Sequence, residues 1–262
     1  MGRYLLTLRR FWATALASQL EYQLNLLIDL VAMAGNLAGS LFVLSLFYGP
    51  GRSLGGWSWE AALVVLGTYT VLDGVASSLL RPNLSTIVAH VQQGSLDFIL
   101  LKPIDSQFWL SFRTFSPAGL PEIVTGLGLI LWAAVKAGAE LSPVRCLATG
   151  LMLGASLVIL YSLWFGLATT SIWFVKTWNA TEVLRAALTA GRYPISAYPL
   201  RLRSLLTVVL PVAFLTTVPA EAILGRASLS TGAASLLMAT VCLLLCRGFW
   251  GFALRFYTSA SS

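Results

Sequence analysis

The sequence predicts an all-α integral membrane protein. It would have six transmembrane helices, an N-terminal amphipathic helix at the membrane interface, and a cytoplasmic helical loop between spans two and three. Three observations carry that prediction. Apolar residues make up 57% of the 262 and charged residues only 10%, against about 45–50% and 25% in soluble domains. Mean hydropathy is +0.81, more apolar surface than a globule of this size could hide beneath a polar exterior. The apolar residues also gather in stretches near the ~20 residues that cross a ~30 Å hydrocarbon core. The hydrophobicity excludes disorder, and a count of three cysteines excludes a disulfide-stapled secreted domain.

Residues 1–23 read as the interfacial helix. Tyr4, Leu8, Phe11, Trp12 and Ala15 follow helical spacing beside a polar stripe of Arg3, Thr7, Arg10 and Thr14, a pattern suited to the headgroup layer. The apolar run within it, 11–17, holds a threonine and is followed by Gln19 and Glu21, so it does not read as a signal peptide. The spans are 24–48, 60–80, 118–135, 146–174, 205–224 and 231–254. The fifth is interrupted by Pro211 and Pro219. Trp57, Trp59, Trp250 and Tyr257 suit interfacial anchors. Between spans four and five, 178–190 reads as a surface helix, with Asn179 or Thr181 as N-cap, Glu182 in its first turn and Gly191 as its stop. Pro194 and Pro199 then forbid regular helix across 192–199. With no internal repeat, 1–262 reads as one membrane domain, in which 1–23 is the interfacial helix and 81–113 the cytoplasmic loop.

The net charge is +7, from 17 Lys and Arg against 10 Asp and Glu. With the N-terminus inside, thirteen basic residues fall on the cytoplasmic side, Arg192, Arg201 and Arg203 among them. Four fall outside: Arg52, Lys136, Arg145 and Arg226. That bias predicts both termini in the cytoplasm and makes the basic excess topological, with no nucleic-acid partner implied. For residues 175–205 the bias favours the inside, and a re-entrant course is the alternative.

Little in the chain offers chemistry of its own. There is no Gly-Lys pair, hence no P-loop to cradle a nucleotide. His90 is the only histidine and lacks a carboxylate four or five residues on, while Cys242 and Cys246 share one helical face without further metal ligands. Four acids fall in spans: Asp29, Asp73, Glu122 and Glu221. A carboxylate in hydrocarbon must face the bundle interior, water or a partner, which makes Asp73 and Glu221 candidates for a transport path and leaves a hydrogen-bonded structural role as the alternative. Gly35-x-x-x-Gly39 and Gly150-x-x-x-Gly154 would allow close helix approach within or between subunits.

The loop after the second span is the most specific segment. Gly94 ends one helix. Ser95 reads as the N-cap of the next, Asp97 sits in its first turn, Lys102 closes it and Pro103 stops it. Leu96, Ile99 and Leu100 share a face, and a helix of about two turns needs something to dock against: a partner protein or its own bundle.

Gly94-Ser95-Leu96-Asp97-x-x-Leu100-Leu101-Lys102-Pro103 resembles the coupling segment of type-2 ABC transporter permeases, a pattern of Gly-Thr/Ser-Leu-Asp/Glu-x-x-Leu-x-x-Pro. The late Pro194-Ile195-Ser196-x-x-Pro199 stretch, then Leu210-Pro211 and Leu224-Gly225, is also similar to that family. The nearest resemblance is to bacterial permeases of unassigned substrate. Two features depart from the pattern: Gln92 and Gln93 stand where many members carry charges, and the family usually places the late proline stretch outside. The resemblance implies a bacterial inner-membrane permease subunit of an exporter. Its coupling helix would dock on a separate ATP-binding subunit that supplies ATP and Mg, and it would pair with a second permease, alike or different, in membrane lipid. This chain would hold no cofactor. The alternative class is an ATP-independent membrane protein, a lipid-active enzyme or a scaffold.

Overall fold

The computed structural model describes residues 7–9, 11–14, 23–49, 53–174, 184–186 and 188–258. Of the expected interfacial helix, 7–9 and 11–14 are helical, and the remainder of 1–22 lies outside the described residues. Helix α1 is Gln23–Leu46. Helix α2, Trp59–Val75, passes through a π turn at Ala76–Leu80 into α3, Arg81–Gln92. Then come α4 (Leu96–Leu100), α5 (Ser106–Phe112), α6 (Leu120–Lys136) and α7 (Pro143–Thr169). The chain finishes with α8 (Leu200–Ser204), α9 (Val218–Ile223) and α10 (Leu229–Ala253). Among the described residues, five helices are long and apolar enough to cross a membrane.

The second span does not stop at Leu80 as expected. Trp59–Gln92 is one helix of 34 residues, about 51 Å at 1.5 Å per residue. Pro82 would break a helix interior by removing an amide and clashing with the preceding turn. Here the π turn just before it shifts the hydrogen-bond register, so Pro82 falls in the first turn of α3, where proline is tolerated.

Helices α2 and α6 pack closest, on glycines spaced seven apart. A Cβ on Gly67 would stand 3.0 Å from the Gly126 carbonyl oxygen, and one on Gly119 would stand 2.1 Å from that of Gly74. The spacings singled out from sequence are not used inside the chain: a Cβ at Gly35, Gly39, Gly150 or Gly154 would meet nothing within 4 Å.

Contacts define two ends of the bundle. At the Gly94 end, the Trp250 indole donates to Ser106 Oγ (3.1 Å) and Trp173 stacks on Phe249. At the Gly55 end, Gly55 (φ +60°) lies so close to Ser196 that a Cβ would be 2.6 Å from its carbonyl carbon, and Arg226 sits 5.5 Å over the Trp57 ring. Serines cap the three long helices that start at this end: Ser58, Ser142 and Ser228 accept from Ala61, Arg145 and Thr231. Trp57 and Trp250 are buried rather than interfacial, because their indoles pack into the two largest core clusters.

The expected fifth span is a hairpin. Leu200–Ser204 continues as a π turn, Leu205–Val209; Leu210 is extended (φ −113°, ψ 98°); a second π turn, Ala213–Thr217, then leads into α9. Each limb is about half a span long. Pro211 follows the break, whereas Pro219 falls harmlessly in the first turn of α9 after the π turn. Ser156, midway along α7, donates to the Phe214 carbonyl (2.8 Å), and Thr217 accepts from the Ile195 amide (3.4 Å). The hairpin therefore enters from and returns to the Gly55 end, where Gly225 approaches the Arg145 guanidinium.

The chain changes ends between Trp173 and Ser196. This corrects the charge-based placement of Arg192 and the proline stretch: they lie toward the Gly55 end, because the bias toward one side is a statistical property of loops and Arg192 is held within the bundle. The expected surface helix 178–190, with Asn179, Thr181 and Glu182, falls largely outside the described residues. Leu184, which is described, is buried in the larger core cluster.

Candidate functional site

Gly94 takes a left-handed conformation (φ +68°) and ends α3, as its sequence position predicts. Ser95 does not cap α4. Its backbone is helical (φ −75°, ψ −5°) instead of extended, so the side chain turns to His90 Nδ1 at 2.8 Å. The helix runs five residues and ends at Leu100, before Lys102 and Pro103. The expected apolar face is divided. Leu96 (0% exposed) and Ile99 (4%) pack into the chain's own core, while Phe98 (72%) and Leu101 (81%) project outward with part of Leu100. Lys102 Nζ lies 4.4 Å over the Trp109 ring. Asp97 faces Tyr257, whose phenol is raised above its ordinary range by burial and then by that carboxylate.

Helix α5 ties α4 to the bundle through residues that sequence reasoning did not single out. Asp105 caps it, accepting from the Phe108 amide at 2.8 Å, and pairs with Arg247 of α10 at 2.5 Å. Arg247 also donates to Gln107 Oε1 (2.9 Å), whose amide reaches Tyr161 of α7 (3.0 Å). Burial works to raise the Asp105 carboxyl, but the Arg247 and Phe108 hydrogen bonds outweigh it and hold it below the ordinary carboxylate range. From α3, buried Asn83 donates to the Thr114 carbonyl (2.7 Å) and accepts from the Thr114 amide (2.8 Å). The N-terminal segment joins them, with the Trp12 indole donating to the Phe112 carbonyl (3.2 Å) and Phe11 edge-on to Trp109. An aspartate directly before Ser106 was the available N-cap signal; nothing local marks Arg247 as its partner.

A second polar group lies deeper. Asp73 pairs with Arg81 at 3.1 Å across the π turn. Glu122 accepts from Ser77 Oγ (3.2 Å). Arg192 donates to Ser40 Oγ (3.1 Å) and the Tyr69 hydroxyl (3.5 Å), with its guanidinium 4.9 Å over the Tyr69 ring. Tyr69 and Asp73 form the wall between two small cavities. Glu221 is not among these groups; it stands beside Arg226 at the Gly55 end, and Asp29 is exposed on α1.

Among the described residues no cluster of His, Cys, Asp and Glu is arranged to hold a metal ion. Cys246 is buried, with the Gln107 amide donating to its sulfur (3.7 Å). No curated protein and no solved structure matches the chain. One family does: its description is "ABC-2 family transporter protein", and the match runs over residues 34–261. Those residues take in the second half of α1, the other long helices, the Gly94 loop and the proline-broken hairpin. The chain is a multi-pass membrane protein of the ABC-2 transporter family.

Proposed function

We propose that the chain is the permease subunit of an ATP-driven exporter, paired with a second permease and docked on a separate ATPase through α4. The observation that carries this reading is the division of α4. Five residues are too few to hold a helix by themselves. Leu96 and Ile99 anchor this one in the core, leaving Phe98 and Leu101 presented on a rigid support. A large apolar pair exposed beyond the span ends suits a groove on a partner protein. ATP and Mg belong to that partner; this chain contributes the docking helix and the path.

Motion imposed on α4 would pass to α5 at once, then through the Asp105–Arg247 pair to α10, through Gln107 to α7 and through Asn83 to α3. The change of ends between Trp173 and Ser196 would account for a sixth crossing, fifth in chain order, and would put the broken hairpin on the outer side. Both termini then lie in the cytoplasm, as the remaining charge bias favours.

The test is affinity capture of the tagged chain from its native cell in mild detergent. A P-loop ATPase should accompany the wild type and be lost, on the order of tenfold, from a Phe98→Ser/Leu101→Ser double variant that is otherwise stable. Undiminished capture by the double variant would refute the docking surface. A wild-type chain that comes out folded and alone would favour the ATP-independent class.

A further inference from the structure

On the Gly94 side of the bundle, α2 with its π turn, α5, α7 and α10 leave a groove of about 610 Å³ between them, within the range of small-molecule sites. Val75, Leu79, Phe108, Leu157 and Leu243 give it apolar walls, and Asp105, Gln107, Tyr161 and Arg247 bound it as well. Leu243 and Leu244 are exposed on α10, so the groove opens sideways from a spanning helix.

The three long walls all start at the Gly55 end, which gives each lining residue a depth. Leu157 and Leu243 stand fourteen residues past the first residues of α7 and α10, and Tyr161 and Arg247 stand eighteen past them. Those are depths of about 21 and 27 Å along the axes, against a hydrocarbon core of ~30 Å. Val75, sixteen residues past the start of α2, falls between them. The apolar part of the groove thus lies in the hydrocarbon, and its polar end lies at the headgroup boundary of the Gly94 side. Lipid is the solvent at that depth, and a groove so placed takes the upper part of an acyl chain.

The polar end is a pair of opposite charges. Asp105 binds Nη1 and Nη2 of Arg247, and Gln107, 6% exposed, accepts from Nη1 as well. That leaves the Nε–Nη2 edge of a guanidinium whose side chain is 55% exposed, an edge that fits two oxygens of a phosphate. The Asp105 side chain beside it is 32% exposed. A cation and a carboxylate side by side match a head that carries both charges, a phosphate and an ammonium. We propose that the groove is a binding site for a zwitterionic phospholipid of the Gly94-side leaflet, with the phosphate on Arg247, the ammonium on Asp105 and one acyl chain between α5, α7 and α10. The bound chain spaces α5 from the spans to which it is tied. The site stands whatever the protein transports, and with or without an ATPase.

The test uses phospholipids with a photoreactive diazirine near the carboxyl end of one acyl chain, offered one head at a time to the full chain in nanodiscs. The heads are phosphatidylethanolamine, phosphatidylcholine and phosphatidylglycerol. The protein is then washed in mild detergent and illuminated, and its adducts are mapped by mass spectrometry. Lipids on open surface wash away, so wild-type adducts should fall on the groove residues and not on Leu27, Val31 and Phe42, which are exposed on α1. Phosphatidylethanolamine, whose ammonium donates hydrogen bonds, should be retained about tenfold over phosphatidylglycerol, the contribution of one charge-assisted hydrogen bond, with phosphatidylcholine between them. Asp105→Asn should bring phosphatidylethanolamine down to the level of phosphatidylcholine. Leu157→Trp fills the groove and should abolish the adducts, whereas Leu237→Trp, exposed on α10 outside the groove, should leave them. A Leu157→Trp chain that keeps its adducts overturns the proposal. Adducts spread evenly over α1 and the groove, none surviving the wash, or phosphatidylglycerol retained as well as phosphatidylethanolamine each overturn it on the wild type alone, whether or not the variants fold.

Discussion

Gly119→Ala tests the α2–α6 contact where the geometry is tightest. The new Cβ would stand 2.1 Å from the Gly74 carbonyl oxygen and 2.5 Å from Ser78 Oγ. The serine can rotate, but the carbonyl belongs to the helix backbone and cannot turn aside. Ordinary contact begins near 3.4 Å, so the helices must part by roughly 1.3 Å, enough to forfeit much of the dispersion energy along their seam. Overpacking of this kind costs about 1–3 kcal/mol, on the order of 2–12 °C in melting temperature for a chain of this size. Thermal unfolding of the purified protein in one detergent, followed by intrinsic fluorescence, reads that shift. Gly35→Ala is the control: its Cβ meets nothing within 4 Å, so the isolated chain should melt as the wild type or slightly higher. If Gly119→Ala melts within about 1 °C of wild type, the glycines are not what sets the approach of these helices, and the reasoning fails.

Asp105→Asn should lower the melting temperature at neutral pH by weakening the Arg247 bridge. Because the folded carboxyl lies below its unfolded range, its contribution is complete above about pH 4 and is lost as pH falls through the folded value, so the gap between variant and wild type should close on acidification; melts from pH 8 to pH 3 would show it, and a widening gap would contradict it. Asn83→Ala should destabilise by about 1–3 kcal/mol, because the Thr114 amide and carbonyl are left without partners; a denaturant titration measures this. In a background without native cysteines, an impermeant maleimide should reach Pro199→Cys and Ser53→Cys from one side of the membrane and Gln93→Cys from the other. Labelling of Pro199→Cys from the Gln93 side would refute the hairpin's placement.

Most long helices were legible because a crossing helix must be apolar nearly throughout. The stretch where the chain changes ends between Trp173 and Ser196 was not, since it carries Glu182, Arg185 and Arg192. Composition rejects such a segment; the partners that make Arg192 tolerable, Ser40 and Tyr69, come from other helices. The hairpin misled in the opposite direction. Two half-helices of Leu, Val, Ala and Thr have the composition of one span, and only the backbone at Leu210 reveals the break. The glycine seam escaped notice because a search within one helix favours spacings of four, whereas the closest approach uses spacings of seven on two helices running antiparallel. At α4 the motif located the helix, but which of its apolar residues face out depends on how the loop docks, and Phe98, unremarked in the sequence, is the most exposed residue within α4.

The π turn at Ala76–Leu80 carries one residue more per hydrogen-bonded ring than the helices on either side. Such a turn works as a gearbox in an otherwise stiff shaft. Converting it to regular helix would rotate everything beyond it by about 100° and shift it by about 1.5 Å along the axis. The Asp73–Arg81 pair bridges the turn from one flank to the other, so it acts as the pawl that fixes the register. A group that drew Arg81 away from Asp73 would release the pawl, and α3 would turn with its Asn83 clamp and the Gly94 loop beyond. In that arrangement the deep charge cluster sits partway along one rod, Trp59–Gln92, whose far end carries the Gly94 loop that leads into α4.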